Sequence, residues 1–253
     1  MLRSEEKKIK LNKLVGDISD EINEIIDDKL EKDNQKQPRR EYIGGSSIGD
    51  DCKRKLQYRL LGLEPDKHFE GKTLRIFGTG NAFEDMAVGW LTRAGFNIRV
   101  KDKTGKQFGF SHYNDRIKGH VDGIIMASPF EEDYPYLWEC KSANDSNWKK
   151  FKKNGVAKTN KVYFAQIVVY QYYMGLTENP ALFTVVNKNT QEIYHERVLF
   201  NSQFAQECSD KAALILKATD AQELMPRVAF DRDHFHCRFC EFSKRCWDVD
   251  GAE

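Results

Sequence analysis

Between Glu5 and Asp33, apolar residues recur every three or four positions (Leu11, Leu14, Ile18, Ile22, Ile25, Leu30), among acidic and basic side chains that otherwise alternate. This spacing predicts an amphipathic helix with a narrow apolar stripe. The polar run 33–40, with Pro38, reads as a linker. Residues 1–40 are therefore expected to form an appendage, packed on the body of the protein or on a protein partner, with one domain over 41–253. From Tyr42 onward, Ser46 and Ser47 offer N-caps to a helix running through Cys52 and Tyr58 to Leu61 and stopped by Gly62. A second helix is expected after Gly78-Thr79-Gly80-Asn81, ending before Gly95. Strand-like stretches follow near 96–100, 107–113, 118–126 and 135–141, then a lysine-rich connection, a helix over 160–174, strands 182–187 and 192–199, and a helix over 201–218. The connection from 141 to 182 is long enough for the crossover that joins two parallel strands. The pattern predicts an α/β class: a mixed sheet with helices on both faces.

The chain has 253 residues, enough to bury a core without covalent staples. Its 40 Lys and Arg against 39 Asp and Glu leave a formal charge of +1, which argues against indiscriminate coating of polyanions. A nucleic-acid surface must be local. No apolar run reaches the roughly 20 residues of a membrane span, and the N-terminus has no uninterrupted apolar signal region. A cytoplasmic protein with no membrane contact is expected. In that setting six cysteines point to metal binding or redox chemistry rather than disulfides.

The most informative segments are Gly119-His-Val-Asp-Gly123 and Leu137-Trp-Glu-Cys-Lys141. Strand alternation puts Glu139 and Lys141 on one face and Cys140 on the other. If the strands carrying them pair, Asp122 comes to lie beside Glu139. Two or three carboxylates facing a phosphate can seat Mg²⁺ or Mn²⁺, and a neighbouring lysine offsets charge developing on the phosphate. The plain alternative is a surface strand with an alternating Glu/Lys pair. Glu84 can add a ligand or, three residues after Asn81, close a capping box. Gln166 and Tyr170 are four apart on one helical face, where they can orient the lysine, contact DNA or fill the core.

The order Glu84, Asp122, Glu139-x-Lys141, Gln166-x-x-x-Tyr170 resembles the PD-(D/E)xK nuclease superfamily, and its RecB-like exonuclease branch in particular, over about residues 44–250. The resemblance implies a restriction-endonuclease-like fold, with Asp122 and Glu139 as metal ligands, Lys141 as the catalytic lysine, and Gln166 with Tyr170 as the branch's Gln-x-x-x-Tyr motif. Val121 stands where the superfamily's name places proline. Many branch members carry a metal-binding His where this chain has Phe83-Glu84; the Gly80-x-x-x-Glu84 pattern is closer to phage exonucleases, which carry a carboxylate there.

Cys237-x-x-Cys240 followed by Cys246 supplies three thiolates, one short of a closed zinc or iron–sulfur site. Cys52 is the best fourth ligand; His234 and His236 are substitutes in a zinc site. Cys140 and Cys208 read as core residues. One early cysteine plus a late Cys-x2-Cys-x5-Cys is similar to iron–sulfur-stapled RecB-like nucleases, which implies a [4Fe–4S] cluster tying the tail to the first helix of the domain, with zinc or no metal as the alternatives.

Residues 141–161 hold seven lysines against one acid, Asp145, interleaved with Trp148 and Phe151. Such a stretch suits phosphate attraction and base stacking, or else a solvated loop. The expected DNA contacts are Trp148, Lys149, Lys150, Lys152, Lys153 and, on a second basic helix face, Arg54. The function expected is a metal-dependent DNA exonuclease of phage or prokaryotic recombination, repair, replication or CRISPR adaptation; the competing reading is a noncatalytic DNA-binding or zinc-stapled scaffold subunit.

Overall fold

The computed structural model describes residues 2–130 and 134–250, with side chains from residue 18 onward. The predicted stripe positions Leu11 and Leu14 lie outside the described side chains. Two compact units are present: one holds the N-terminal helix together with Lys67–Thr79, the other Arg40–Asp66 and everything from Gly80 on.

The first unit contains α1 (Leu2–Gln35) and the opening turns of α3 (Gly71–Arg93). Gly71 is where the two helices touch. A Cβ there would stand 2.5 Å from the Cα of Asp27, so only glycine permits the approach. The Glu31 carboxylate accepts the Gly71 N–H at 2.7 Å, satisfying one free donor at the start of α3. This contact explains why α3 begins at Gly71, ten residues before the predicted start at Asn81. It also removes the capping box: Asn81 lies inside the helix, and Glu84 caps nothing.

The second unit is mixed α/β. A three-stranded sheet has the order β1 (Ile43–Gly44), β4 (Ile117–His120), β3 (Gly109–His112). A five-stranded sheet has the order β2 (Asn97–Arg99), β5 (Gly123–Ala127), β6 (Tyr136–Ala143), β7 (Ala181–Asn187), β8 (Ile193–Val198). All its neighbours are antiparallel except β6 and β7, which are parallel and joined by the expected crossover. The predicted single strand 118–126 is two strands in two sheets, with the chain changing sheet at Val121-Asp122. That break frees the Asp122 side chain from the alternation of either strand.

The crossover differs from the sequence expectation. Its lysine-rich part is a helix, α4 (Asp145–Thr159), capped by Asn144, whose side chain accepts the Asn147 N–H at 2.9 Å, and interrupted at Gly155, where φ is +74°. Trp148, Phe151 and Val156 point inward while the lysines stay outside. α5 (Lys161–Met174) follows, capped by Asn160 and ended by Gly175 at φ +67°. Residues 165–171 of α5 are all buried between the five-stranded sheet and α6 (Ser202–Asp220). On the sheet's other face, Phe83, Ala87 and Leu91 of α3 pack against Ile125, Trp138, Cys140 and Val186.

α2 (Lys53–Leu60) is capped by the Cys52 thiol, which accepts the Lys55 N–H at 3.4 Å; Ser46 and Ser47 belong to a short 3-10 turn instead of capping it. The C-terminal segment, including α7 (Phe235–Arg238), is pinned to α2 and the loop after it. Arg59 pairs with Glu241 at 2.6 Å, Tyr58 donates to Asp250 at 2.7 Å, and the Asp66 carboxylate accepts the Lys244 N–H at 2.5 Å. Among the described residues no helix is long and apolar enough to cross a membrane.

Candidate active site

The ladder between β5 and β6 sets Gly123 opposite Trp138 and Ile124 opposite Leu137, so Asp122 falls level with Glu139. The Asp122 carboxylate is anchored by the backbone N–H of Cys140, 2.8 Å from its Oδ2. Glu139 is wholly buried, Lys141 pairs closely with its Oε1, and Lys141 Nζ stands 3.9 Å from Asp122. Gln166 of α5, itself buried, donates to Glu139 Oε1 at 2.6 Å. Tyr170 follows one turn on, where burial and the charge of Glu139 raise the proton affinity of its phenol. Its ring packs edge-on against Phe110, in space that Gly119 keeps open: a Cβ at Gly119 would meet the Tyr170 ring at 2.6 Å.

Thus Asp122, Glu139, Lys141, Gln166 and Tyr170 come together. Tyr170 is buried in an aromatic cluster with Phe110 and Tyr173, so its place is to support Gln166 rather than to meet a substrate. Glu84 joins the group electrostatically. Burial first, then the charge of Asp122, push its carboxyl up to about 7. Burial and Asp122 likewise raise the proton affinity of Glu139 against the opposing pull of Lys141. For Lys141, burial favours the neutral amine, but the charges of Glu139 and Asp122 outweigh it and hold the ammonium.

The second oxygen of Glu139 is buried without a hydrogen-bond partner. Leaving a carboxylate oxygen unsatisfied is costly, and the raised proton affinities of Glu84 and Glu139 beside the Asp122 charge mark a place with surplus negative potential. Such an all-oxygen donor set fits a hard divalent cation. Among the described residues, no three His, Cys, Asp or Glu side chains already stand in ligand positions, and Lys141 lies between Asp122 and Glu139.

Tyr163 was missed in the sequence. Its ring lies 5.4 Å from Lys141 Nζ and stacks near Phe151. The signal was present: Tyr163 is three residues before Gln166, on the same face as the Gln166/Tyr170 pair.

Two of the expected DNA contacts need correction. Trp148 is only 3% exposed and its indole N–H donates to the Val185 carbonyl at 3.0 Å, so it is a core residue beneath α4 and offers no face to a base. Arg54 is also buried, donating to the Met225 carbonyl at 2.5 Å and reaching the Cys246 sulfur at 3.9 Å; it organises the tail. Lys149, Lys150, Lys152 and Lys153 are exposed on α4; Lys149 pairs with Asp145 and Lys152 lies over the Trp148 ring.

Cys52, Cys237, Cys240 and Cys246 are brought into one neighbourhood, where Cys52 feels the charge of Cys246, and Cys237 and Cys240 that of Cys52. Burial is the leading reason that Cys52, Cys237 and Cys240 hold their protons more tightly than free thiols, with Cys240 pushed up to about 11. The donor types suit iron–sulfur or zinc, but no three close into a metal-binding group among the described residues, so the expected [4Fe–4S] cluster gains no support from their positions. Cys140 and Cys208 are buried in two separate apolar clusters.

A cavity of about 720 Å³ lies elsewhere, between α3, β7 and β8, lined by Trp90, Leu91, Leu182 and His195 among others; it contains none of the three carboxylates. The carboxylate site is preferred because it gathers Glu84 and Glu139, whose proton affinities are raised, around Asp122 and Lys141.

The fold is similar to that of an alkaline exonuclease, LHK-Exo, from Laribacter hongkongensis: TM-score 0.52 at 14% identity, covering 73% of this chain and 90% of that one. LHK-Exo in complex with dAMP gives a TM-score of 0.51, again at 14% identity and with the same coverage of both chains. No protein-family model and no curated protein sequence matches the chain. At this identity the likeness is one of fold.

Proposed function

We propose that this protein is a divalent-metal-dependent deoxyribonuclease, a DNA exonuclease of PD-(D/E)xK type. The observation that carries the reading is the convergence of Asp122, Glu139 and Lys141 around a buried, unpartnered carboxylate oxygen, with Gln166 fixing the other oxygen of Glu139. The likeness of fold to an alkaline exonuclease that has been seen with dAMP supports the same activity.

Asp122, Glu139 and Glu84 would hold Mg²⁺ or Mn²⁺. When bound, the cation would act as a Lewis acid toward a phosphate oxygen. Asp122 is held by the Cys140 N–H and Glu139 by Gln166, so two of the three carboxylates are anchored before the site fills. The Lys141 ammonium supplies a positive charge and a donor to the scissile phosphate. The exposed lysines of α4 begin six residues beyond β6, which carries Glu139 and Lys141, and would attract the DNA backbone. An iron–sulfur staple at Cys52, Cys237, Cys240 and Cys246 remains a separate proposal, resting on the Cys-x2-Cys-x5-Cys spacing with one early cysteine. Stoichiometric iron and sulfide in anaerobically purified protein, lost in Cys52→Ala, would support it; zinc alone would refute it.

The test is end-labelled DNA, single- and double-stranded, incubated with Mg²⁺ or Mn²⁺ and with a chelator. Stepwise shortening that needs the cation and disappears in Asp122→Asn is expected; DNA binding without degradation under every cation would leave the scaffold reading standing instead.

A further inference from the structure

The Lys141 ammonium has three neighbours, and one differs in kind from the others. It pairs with Glu139 Oε1, an oxygen that also accepts the Gln166 amide at 2.6 Å, and it stands 3.9 Å from Asp122. Both of these carboxylates are proposed metal ligands, so their charge is shared with a cation whenever one binds. The third neighbour is the ring of Tyr163, over which Nζ lies 5.4 Å from the centroid, within the range of a cation–π contact.

That ring is fixed from two sides. Tyr163 is the third residue of α5, and its backbone N–H donates to the capping side chain of Asn160 at 3.0 Å. The ring stacks near Phe151, with centroids 6.2 Å apart and planes 14° from parallel. Phe151 is buried and packs edge-on against Phe183 at 5.7 Å, so the stack leans on the core. Gln166, three residues further along the same helix, grips Glu139. One rigid element therefore carries a contact to the lysine and a contact to the carboxylate. Lys141 itself is a flexible four-carbon stem, and its side chain is 21% exposed, so its ammonium stays in place only if something fixed attracts it.

A carboxylate attracts an ammonium by engaging one of its three N–H donors, whereas the face of a ring attracts the charge and engages no particular donor. We infer that Tyr163 is a positioning residue for Lys141: the face of its ring holds the ammonium beside the carboxylates and leaves N–H groups free to donate to the scissile phosphate. The donation to phosphate rests on the nuclease reading; the hold of the ring on the ammonium does not.

Urea unfolding of Lys141→Met, Tyr163→Leu and the double variant, all in chelator, measures the contact without any reaction. The double variant should lose less stability than the two single losses combined, by about tenfold in the unfolding equilibrium constant. Tyr163→Phe, which keeps the ring face, should combine additively with Lys141→Met. On end-labelled DNA with Mg²⁺, Tyr163→Leu should lower kcat about tenfold and leave KM within about twofold, while Tyr163→Phe stays within about threefold of wild type. A ring that only packs predicts additive losses for Lys141→Met and Tyr163→Leu, and that result overturns the inference. So does a Tyr163→Phe defect as deep as that of Tyr163→Leu, or a loss confined to KM. If Lys141→Met does not fold, the kcat and KM of the two Tyr163 variants decide. If the wild type cleaves no DNA with any cation, the nuclease reading falls, and the unfolding cycle still decides whether the ring holds the ammonium.

Discussion

Glu139 and Lys141 are carried on β6 and Asp122 lies immediately before β5, whose ladder with β6 sets their separation, with a backbone N–H and a helix-borne glutamine holding two of the carboxylates. Cys52 and Cys237, Cys240 and Cys246 come instead from a helix cap and a tail of short turns, and their thiols are neighbours without being aimed at a common point. The difference shows what regular structure contributes to a site. A strand pair delivers side chains at fixed intervals before any ligand arrives, whereas a loop-borne set needs the binding free energy of its ligand to be ordered.

If the strand-borne site is the reactive one, Asp122→Asn or Lys141→Ala should lower the nuclease rate by about a thousandfold or more while circular dichroism stays native. Comparable rates in either variant would show that the chemistry lies elsewhere. Gln166→Leu, which takes a donor from buried Glu139, should cost about 1–3 kcal/mol in denaturant unfolding; an unchanged midpoint would mean that the glutamine does not hold the carboxylate.

The carboxyl groups also make a pH prediction. Glu84 titrates near 7 in the folded chain and Glu139 is raised as well, so the folded state holds protons that the unfolded chain has released. The stability they contribute is fully present below the ordinary glutamate range and is lost as pH rises through about 7. Metal-free protein should therefore melt a few degrees lower at pH 8 than at pH 5.5. Glu84→Gln should flatten that slope, and Mg²⁺ or Mn²⁺, favouring the ionised carboxylates, should reverse it. A melting temperature that rises with pH in the wild type without metal would contradict the raised affinities.

On the thiol side, Cys52→Ala should cost only about 1 kcal/mol in metal-free protein, the worth of a helix cap, and should speed proteolysis of the tail. A much larger loss in protein as purified would mean that the four cysteines share a ligand. Smallest of all, Lys152→Ala with Lys153→Ala should leave stability unchanged and reduce the salt dependence of DNA binding by about one phosphate contact each.

The strand pattern around Glu139 and the helical pair Gln166/Tyr170 were legible because their spacings are local and periodic. The division of 118–126 between two sheets was not, since both halves alternate like one strand and only pairing partners separate them. Likewise the lysine-rich segment looked like a loop because its charge masks the inward spacing of Trp148, Phe151 and Val156, which the packing against β7 and β8 makes decisive. The early start of α3 depends on Glu31 and on the close approach at Gly71, forty residues apart in the chain.

By itself, the sequence determined the α/β class, the order of most elements and the residue types able to do phosphate chemistry, all of which follow from local periodicity and side-chain chemistry. Only the tertiary structure decided that Glu139 is fully buried with one oxygen unpartnered, that Trp148 and Arg54 face inward, and that the isoleucines of α1 face outward. Burial and unsatisfied hydrogen bonds belong to the surroundings of a side chain, and those are assembled from segments far apart in the chain.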